Sequence, residues 1–428
     1  MKFKIYTLGC KVNTYESNVM SERMKEAGYE EVKSGEEISI VNTCTVTNTA
    51  DSKSMKTIHH IIKEDSHRIV VVVGCMSQIR YEELKENPNI HIILGNKYKS
   101  QIVELIELYQ KTKKQIVKVE DIMNTSFETM KLNNFNRTRA FVKIQDGCDN
   151  FCSYCIIPYS RGNVRSKDPL DVIDEVKTLV KMGHHEIVLT GIHTGHYGAE
   201  FEDYHFSDLL GALIKIPGLE RLRISSIEMN EITTEVLELM KKSNILVDHM
   251  HIPLQSGCDN TLKAMNRKYN MKEFEEKLNM IRNIRPNISI STDLIVGFPG
   301  ETDEDFKETC DSLKRLQFSK IHVFPYSERR GTKASEMKDM NGKIKKDRVR
   351  KVLEISKELE QKYMYQFIGK TITLIPEVEK DGYLIGHTGN YLLVKVKGDI
   401  FSLNQTVSVL LEEVKYPYII GKMEKDCD

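Results

Sequence analysis

Cys148-Asp-Asn-Phe-Cys152-Ser-Tyr-Cys155 places three thiols in one short loop at C-x3-C-x2-C spacing. That spacing lets three thiolates converge on one soft-metal centre without help from distant chain. Three ligands are one fewer than the usual four of an iron–sulfur cluster, and a missing protein ligand leaves an open position for chemistry. Residues 140–145 read as a strand just upstream, and Gly147 lets the backbone turn. The loop therefore belongs at the carboxyl end of a strand, where α/β folds build their sites. A zinc site or a redox pair would also use cysteines. Zinc motifs usually combine two C-x2-C halves, however, and no fourth cysteine lies nearby.

The loop resembles the signature of the radical S-adenosylmethionine (SAM) enzymes. The resemblance implies a [4Fe-4S] cluster on Cys148, Cys152 and Cys155, with the amine and carboxylate of SAM on its open iron. It also implies one-electron cleavage of SAM to a deoxyadenosyl radical, so that the cofactor carries the hard chemistry.

Upstream, residues 4–8, 38–41, 68–73 and 91–94 read as short apolar strands, with helical spacing at 13–27, 52–63 and 101–109. Continuous apolar strands alternating with helices predict a doubly wound parallel sheet covered on both faces. Cys10, Cys44 and Cys75 each directly follow one of these strands. Such loops lie side by side at one sheet edge, so three residues far apart in sequence converge. One such cysteine alone reads as a small buried hydrophobe. Three, each beside Gly or Thr, point to a second cluster.

A closer resemblance rests on Thr7-Leu-Gly-Cys-Lys-Val-Asn13, Asn42-Thr-Cys-Thr-Val-Thr47 and Val73-Gly-Cys-Met-Ser77. These look like the amino-terminal domain of the methylthiotransferases, a family that adds a radical SAM barrel and a small C-terminal β-domain. The Cys-Lys-Val-Asn and Thr-Cys-Thr-Val-Thr forms look most like the branch acting on threonylcarbamoyladenosine at position 37 of tRNA. The resemblance implies two [4Fe-4S] clusters, SAM both as methyl source and radical source, and tRNA (its anticodon stem-loop) as partner. It further implies an electron donor such as flavodoxin or ferredoxin and a sulfur source. Residues 111–136 are polar and weakly periodic and read as a linker with one strand at 115–119; around it the resemblance gives an amino-terminal domain at 1–110, a radical SAM domain at 137–366 and an RNA-binding TRAM-like domain at 367–428.

Strands expected at 140–145, 186–190, 222–225, 249–252, 288–296 and 321–324 make an incomplete (β/α)6 barrel with its loops at one face. By resemblance those loops hold SAM: Thr190, Gly191 and His193 after the second strand, Ser225 and Ser226 after the third. Gln255 follows the fourth, and Gly297 after the fifth is expected to allow close backbone approach to the adenine. Thr302 and Asp305 have the spacing of a capping box. Arg161, Arg165 and Arg267 are candidates for phosphate or the SAM carboxylate. Cys258, Cys310 and Cys427 fit no ligand pattern. No conventional acid or base is expected to be catalytic.

From 370 the pattern turns to short strands with turns at Asp381-Gly382 and Gly389-Asn390, as in a small antiparallel barrel. Lys+Arg and Asp+Glu both number 62, so no global basic field marks a nucleic-acid partner. The RNA role thus rests on resemblance. The amino-terminal residues start a strand pattern, no apolar run is long enough to span a bilayer, and the cysteines fit a reduced, cytoplasmic protein without a membrane association. Two rivals remain. One is the same chemistry on isopentenyladenosine tRNA or a ribosomal protein. The other is a non-catalytic, metal-stabilised RNA-binding protein.

Overall fold

The computed structural model describes residues 1–398 and 400–424; Cys427 lies outside them. β1 (Lys2–Thr7), β2 (Glu30–Glu31), β3 (Ile38–Thr43), β4 (Ile69–Gly74), β5 (Ile92–Leu94) and β6 (Ile116–Lys118) form a parallel sheet in the order β2-β1-β3-β4-β5-β6. α1 (Lys11–Glu26) and α4 (Ile102–Thr112) cover one face, with Met20, Met24 and Leu105 packed on Phe3, Ile40, Val71 and Val73. α2 (Asn48–Glu64) and α3 (Cys75–Lys85) cover the other, with Ile58, Ile61 and Met76 packed on Val41, Val70 and Val72. Alternate residues of one Val run thus feed opposite cores, which is why that run is apolar throughout.

The stretch expected as a polar linker carries its one strand where the sequence placed it but is buried further along. Its start supplies β6, and Met130, Leu132 and Phe135 are buried in the core of the next unit. Three separated apolar residues in polar chain carry no helical or strand period, so their burial has no local signature.

The second unit starts with β7 (Arg139–Lys143), a small antiparallel pair β8 (Gln145–Asp146) and β9 (Arg165–Ser166), and α5 (Ile157–Arg161) between them. α6 (Pro169–Lys181), β10 (Glu186–Thr190), α7 (Phe206–Leu213), β11 (Arg221–Ile224) and α8 (Thr234–Lys242) follow. Then come β12 (His249–His251), α9 (Asp259–Ala264), α10 (Met271–Ile284), β13 (Ser289–Val296), α11 (Asp303–Leu316) and β14 (Lys320–Pro325). The six main strands are parallel but form two three-stranded sheets, β11-β10-β7 and β12-β13-β14, joined by a bridge between Leu222 and Leu246. The wall is an open partial barrel. Tyr15 and Val19 of α1 belong to its core.

α12 (Gly342–Tyr365) leads to the last unit, where β15 (Thr371–Lys380), β16 (Tyr383–Thr388), β17 (Leu393–Lys397), β18 (Val407–Lys415) and β19 (Tyr418–Met423) close into a barrel in the order β15-β16-β17-β19-β18. The sequence pattern does not reveal β19, where Ile419 is the one large side chain fully buried. This barrel docks on the partial one. Arg221 donates to Thr373 O (3.0 Å) and His387 O (3.1 Å), Arg223 donates to Gly389 O (3.1 Å), and Arg139 pairs with Glu377 (3.0 Å).

Candidate active site

All six cysteines of the two predicted sets line a single cavity of about 880 Å³ between the amino-terminal sheet and the partial barrel. Cys10, Cys44 and Cys75 sit where β1, β3 and β4 end. Two glycines let these ends crowd together. A Cβ on Gly9 (φ +103°) would lie 2.9 Å from Cys44 Sγ, and one on Gly74 (φ +105°) 2.6 Å from Thr43 O. The positive φ and the missing Cβ are therefore both required at these positions. Asn13 ties the first two ends, donating to Leu8 O (2.7 Å) and Thr43 O (2.9 Å).

Behind this set lies a buried ionic network joining the two units. Glu16 of α1 pairs with Lys99, with Lys143 of β7 (2.8 Å) and with Arg161 of α5 (2.8 Å). Asp146 pairs with Lys143 (2.7 Å), Arg161 (3.1 Å) and Arg165 (3.4 Å). Four cations thus face two carboxylates. Burial opposes ionisation of Glu16, but Arg161 and the two lysines outweigh it and hold its carboxyl well below the usual range. The surplus positive charge points at the cysteines, since Arg161 Nε donates to Cys75 Sγ (3.3 Å).

The barrel set is built in the same way. Cys148, Cys152 and Cys155 follow β8, and Arg267 donates to Cys152 Sγ (3.4 Å) while also pairing with Glu228. Burial pushes the Cys44 and Cys155 thiols up to about 12, and raises Cys10 and Cys152. Clustered thiols, four of them made harder to ionise by their surroundings and each set touched by one guanidinium, suit a metal that displaces their protons. The donor sets fit two iron–sulfur clusters.

Thr190, Gly191, His193, Ser225, Ser226 and Gln255 line the cavity as expected. Gln255 holds a left-handed backbone (φ +67°), an uncommon conformation worth noting beside a site. His193 lies 3.8 Å from Cys148 Sγ. Burial disfavours its imidazolium, but hydrogen bonds with Cys148 and Glu231 outweigh that and push its pKa up to about 10.

Gly297 is different. It is not part of the cavity wall, and a Cβ there would meet Lys345 Cγ at 2.6 Å. The close approach that requires glycine is to α12, not to a ligand. Arg161 and Arg165 are buried and held by the carboxylates of the ionic network. Cys258 donates to Asp305 (3.2 Å), and Cys310 is buried in the barrel core.

The comparisons with known proteins agree with this geometry. Residues 2–95 match the uncharacterized protein family UPF0004, and residues 142–313 match the radical SAM superfamily. The chain is 41% identical to the threonylcarbamoyladenosine tRNA methylthiotransferase MtaB of Bacillus subtilis, over 97% of this chain and 95% of that protein. The chain belongs to the radical SAM methylthiotransferase family. As members of that family, such chains use SAM and two [4Fe-4S] clusters. The tRNA-2-methylthio-N(6)-dimethylallyladenosine synthase of Bacillus licheniformis is 34% identical over 99% of this chain and 86% of that one. Among solved structures, the radical SAM methyltransferase TsrM of Kitasatospora setae shares the fold, with TM-score 0.54, 15% identity and coverage of 75% of this chain and 72% of that one.

Several cavity residues carry no role in the sequence reading of the methylthiotransferase: Lys11, Glu228, His249, Asp293, His322 and Tyr391. Some had a signal. His249 and His251, Ser289, Ser291 and Asp293, and Lys320 and His322 are polar residues at alternate positions of their strands. In a closed or partly closed barrel that alternation marks the inward face. Tyr391 had none, because it arrives from the C-terminal barrel.

Proposed function

We propose that this protein converts threonylcarbamoyladenosine at position 37 of tRNA to its 2-methylthio derivative. The observation that carries the reading is the meeting of two three-cysteine sets in one cavity, in a chain 41% identical to a protein named for that substrate. When bound, SAM and the clusters supply the radical that opens an unreactive C–H bond and the sulfur and methyl group that replace the hydrogen. Cys148, Cys152 and Cys155 hold the barrel cluster, and Cys10, Cys44 and Cys75 hold the other. Arg161 and Arg267 orient one cysteine of each set. Thr190, Gly191, His193, Ser225, Ser226 and Gln255 line the SAM side of the cavity.

The chain divides at about 110 and 366, with the final barrel acting as a TRAM-type RNA module. The enzyme works in the cytoplasm with a flavodoxin- or ferredoxin-type electron donor and a separate sulfur source. No helix among the described residues is long and apolar enough to cross a membrane.

The test is one assay on reconstituted enzyme. Cys75→Ala is expected to cleave SAM with reductant yet give no methylthio product, while Cys152→Ala does neither. Anticodon stem-loop bearing threonylcarbamoyladenosine gains the methylthio group, and the dimethylallyl counterpart does not. Normal product from Cys75→Ala refutes the sulfur-insertion role. Reaction of the dimethylallyl substrate alone refutes the branch.

A further inference from the structure

At the end of the cavity away from the cysteines of the barrel loop, the wall is polar in a way the cluster and SAM sites do not use. Lys11 opens α1 directly after Cys10, and its ammonium makes no hydrogen bond or ion pair among the described residues. His249 is 8% exposed and its Nδ1 has no partner, while its ring stacks on Tyr391 with centroids 4.5 Å apart. His322 also lines the wall. The neighbouring guanidiniums are already matched, and Asp293 meets an imidazole. Arg139 is held by Glu377 (3.0 Å), Arg223 by Glu186 (2.8 Å), and Asp293 by His251 (3.2 Å). Among the described residues that line the cavity, Lys11 is a cation with no hydrogen bond or ion pair of its own.

We propose that Lys11, with the free Nδ1 of His249 (whose Nε2 meets Ser291 Oγ at 3.3 Å) and the Tyr391 ring beside it, forms a carboxylate subsite for the threonyl group on N6 of the substrate adenine. This rests on the function proposed above. C2 and C6 of adenine are meta on the six-membered ring, so their substituents leave about 120° apart by ring geometry. With C2 turned to the cysteines, the N6 substituent extends along another wall. That substituent ends in an α-carboxylate, which an ammonium binds through a charge-assisted hydrogen bond. A dimethylallyl group in the same place offers no charge and would cover the ammonium without pairing it, which costs binding. Lys11 thus both favours one tRNA branch and disfavours the other. Tyr391 belongs to the C-terminal barrel, so that unit completes the wall as well as docking on it.

The experiment uses enzyme carrying both clusters and two anticodon stem-loops. One bears threonylcarbamoyladenosine, and the other the same group with its carboxylate replaced by a carboxamide. Binding and KM are measured for wild type, Lys11→Met and Lys11→Arg. Wild type is expected to prefer the carboxylate about ten- to hundredfold, the range of one hydrogen bond to a charged group. Lys11→Met abolishes that preference by weakening the carboxylate substrate alone, and Lys11→Arg keeps most of it. Wild type that does not distinguish the two stem-loops overturns the subsite whatever the variants do. So does Lys11→Met weakening both equally. If wild type methylthiolates neither, the function reading fails first, and the subsite with it.

Discussion

Arg161 shows how much one side chain can organise. It is fully buried, donates to Glu16 (2.8 Å), Asn13 (2.8 Å) and Asp146 (3.1 Å), and reaches Cys75 with its Nε. Removing one partner of a buried ionic group leaves the others uncompensated, at a cost of about 3–5 kcal/mol. Arg161→Met is therefore expected to lower the stability of the metal-free protein by that order, read as a drop in urea midpoint. A loss below about 1 kcal/mol, the scale of a surface pair, would mean that the network does not hold the two units together. In sequence Arg161 is one arginine among many near a cysteine loop. Its partners come from 145, 148 and 15 positions away, so no local pattern could single it out.

At the level of elements, local chemistry was readable wherever the partners are close in sequence. Asp168 caps α6 by accepting from Leu170 N (2.8 Å), and Pro169 occupies its first turn. Thr302 and Asp305 form the expected reciprocal box at the start of α11. Asp305 accepts from Thr302 N (2.9 Å), from Cys258 (3.2 Å) and from Asn260 (3.1 Å). The Thr302 N–H chiefly, working against burial, brings its carboxyl down to about 2. A depressed carboxyl contributes stability above its unfolded value of about 4 and loses it as pH falls through the folded value. Asp305→Ala is thus expected to cost about 1–2 kcal/mol at neutral pH. The gap from wild type should close as pH falls from about 4 to about 2, in urea unfolding across that range. A gap that does not change with pH would refute the charge contribution.

For the whole molecule, the C-terminal barrel is part of the enzyme's wall rather than an appendage. Its carbonyls at Thr373, His387 and Gly389 satisfy Arg221 and Arg223, and Tyr391 lines the cavity. Ending the chain at Gln366 is expected to weaken tRNA binding and to lower the melting temperature by several degrees, because those guanidiniums and Glu186 lose their buried setting. Filter binding and a thermal melt check this. The salt dependence of the lost binding should be modest, since the chain carries no net charge. Unchanged tRNA affinity would remove the RNA role of the module.

Sequence alone marked most of the strands and helices and the two cysteine sets, through periodicity, turn residues and ligand spacing that a few neighbouring positions carry, and by resemblance it pointed to the family. Tertiary structure decided what those elements enclose. The polar stretch before β7 is buried through Met130, Leu132 and Phe135. Gly297 makes room for Lys345 rather than for a ligand, and Lys11, His249 and Tyr391 come from three different units to one wall. Most of these contacts join residues far apart in the sequence. Their energy comes from desolvated charges and closely packed backbone, and neither leaves a periodic mark on the chain.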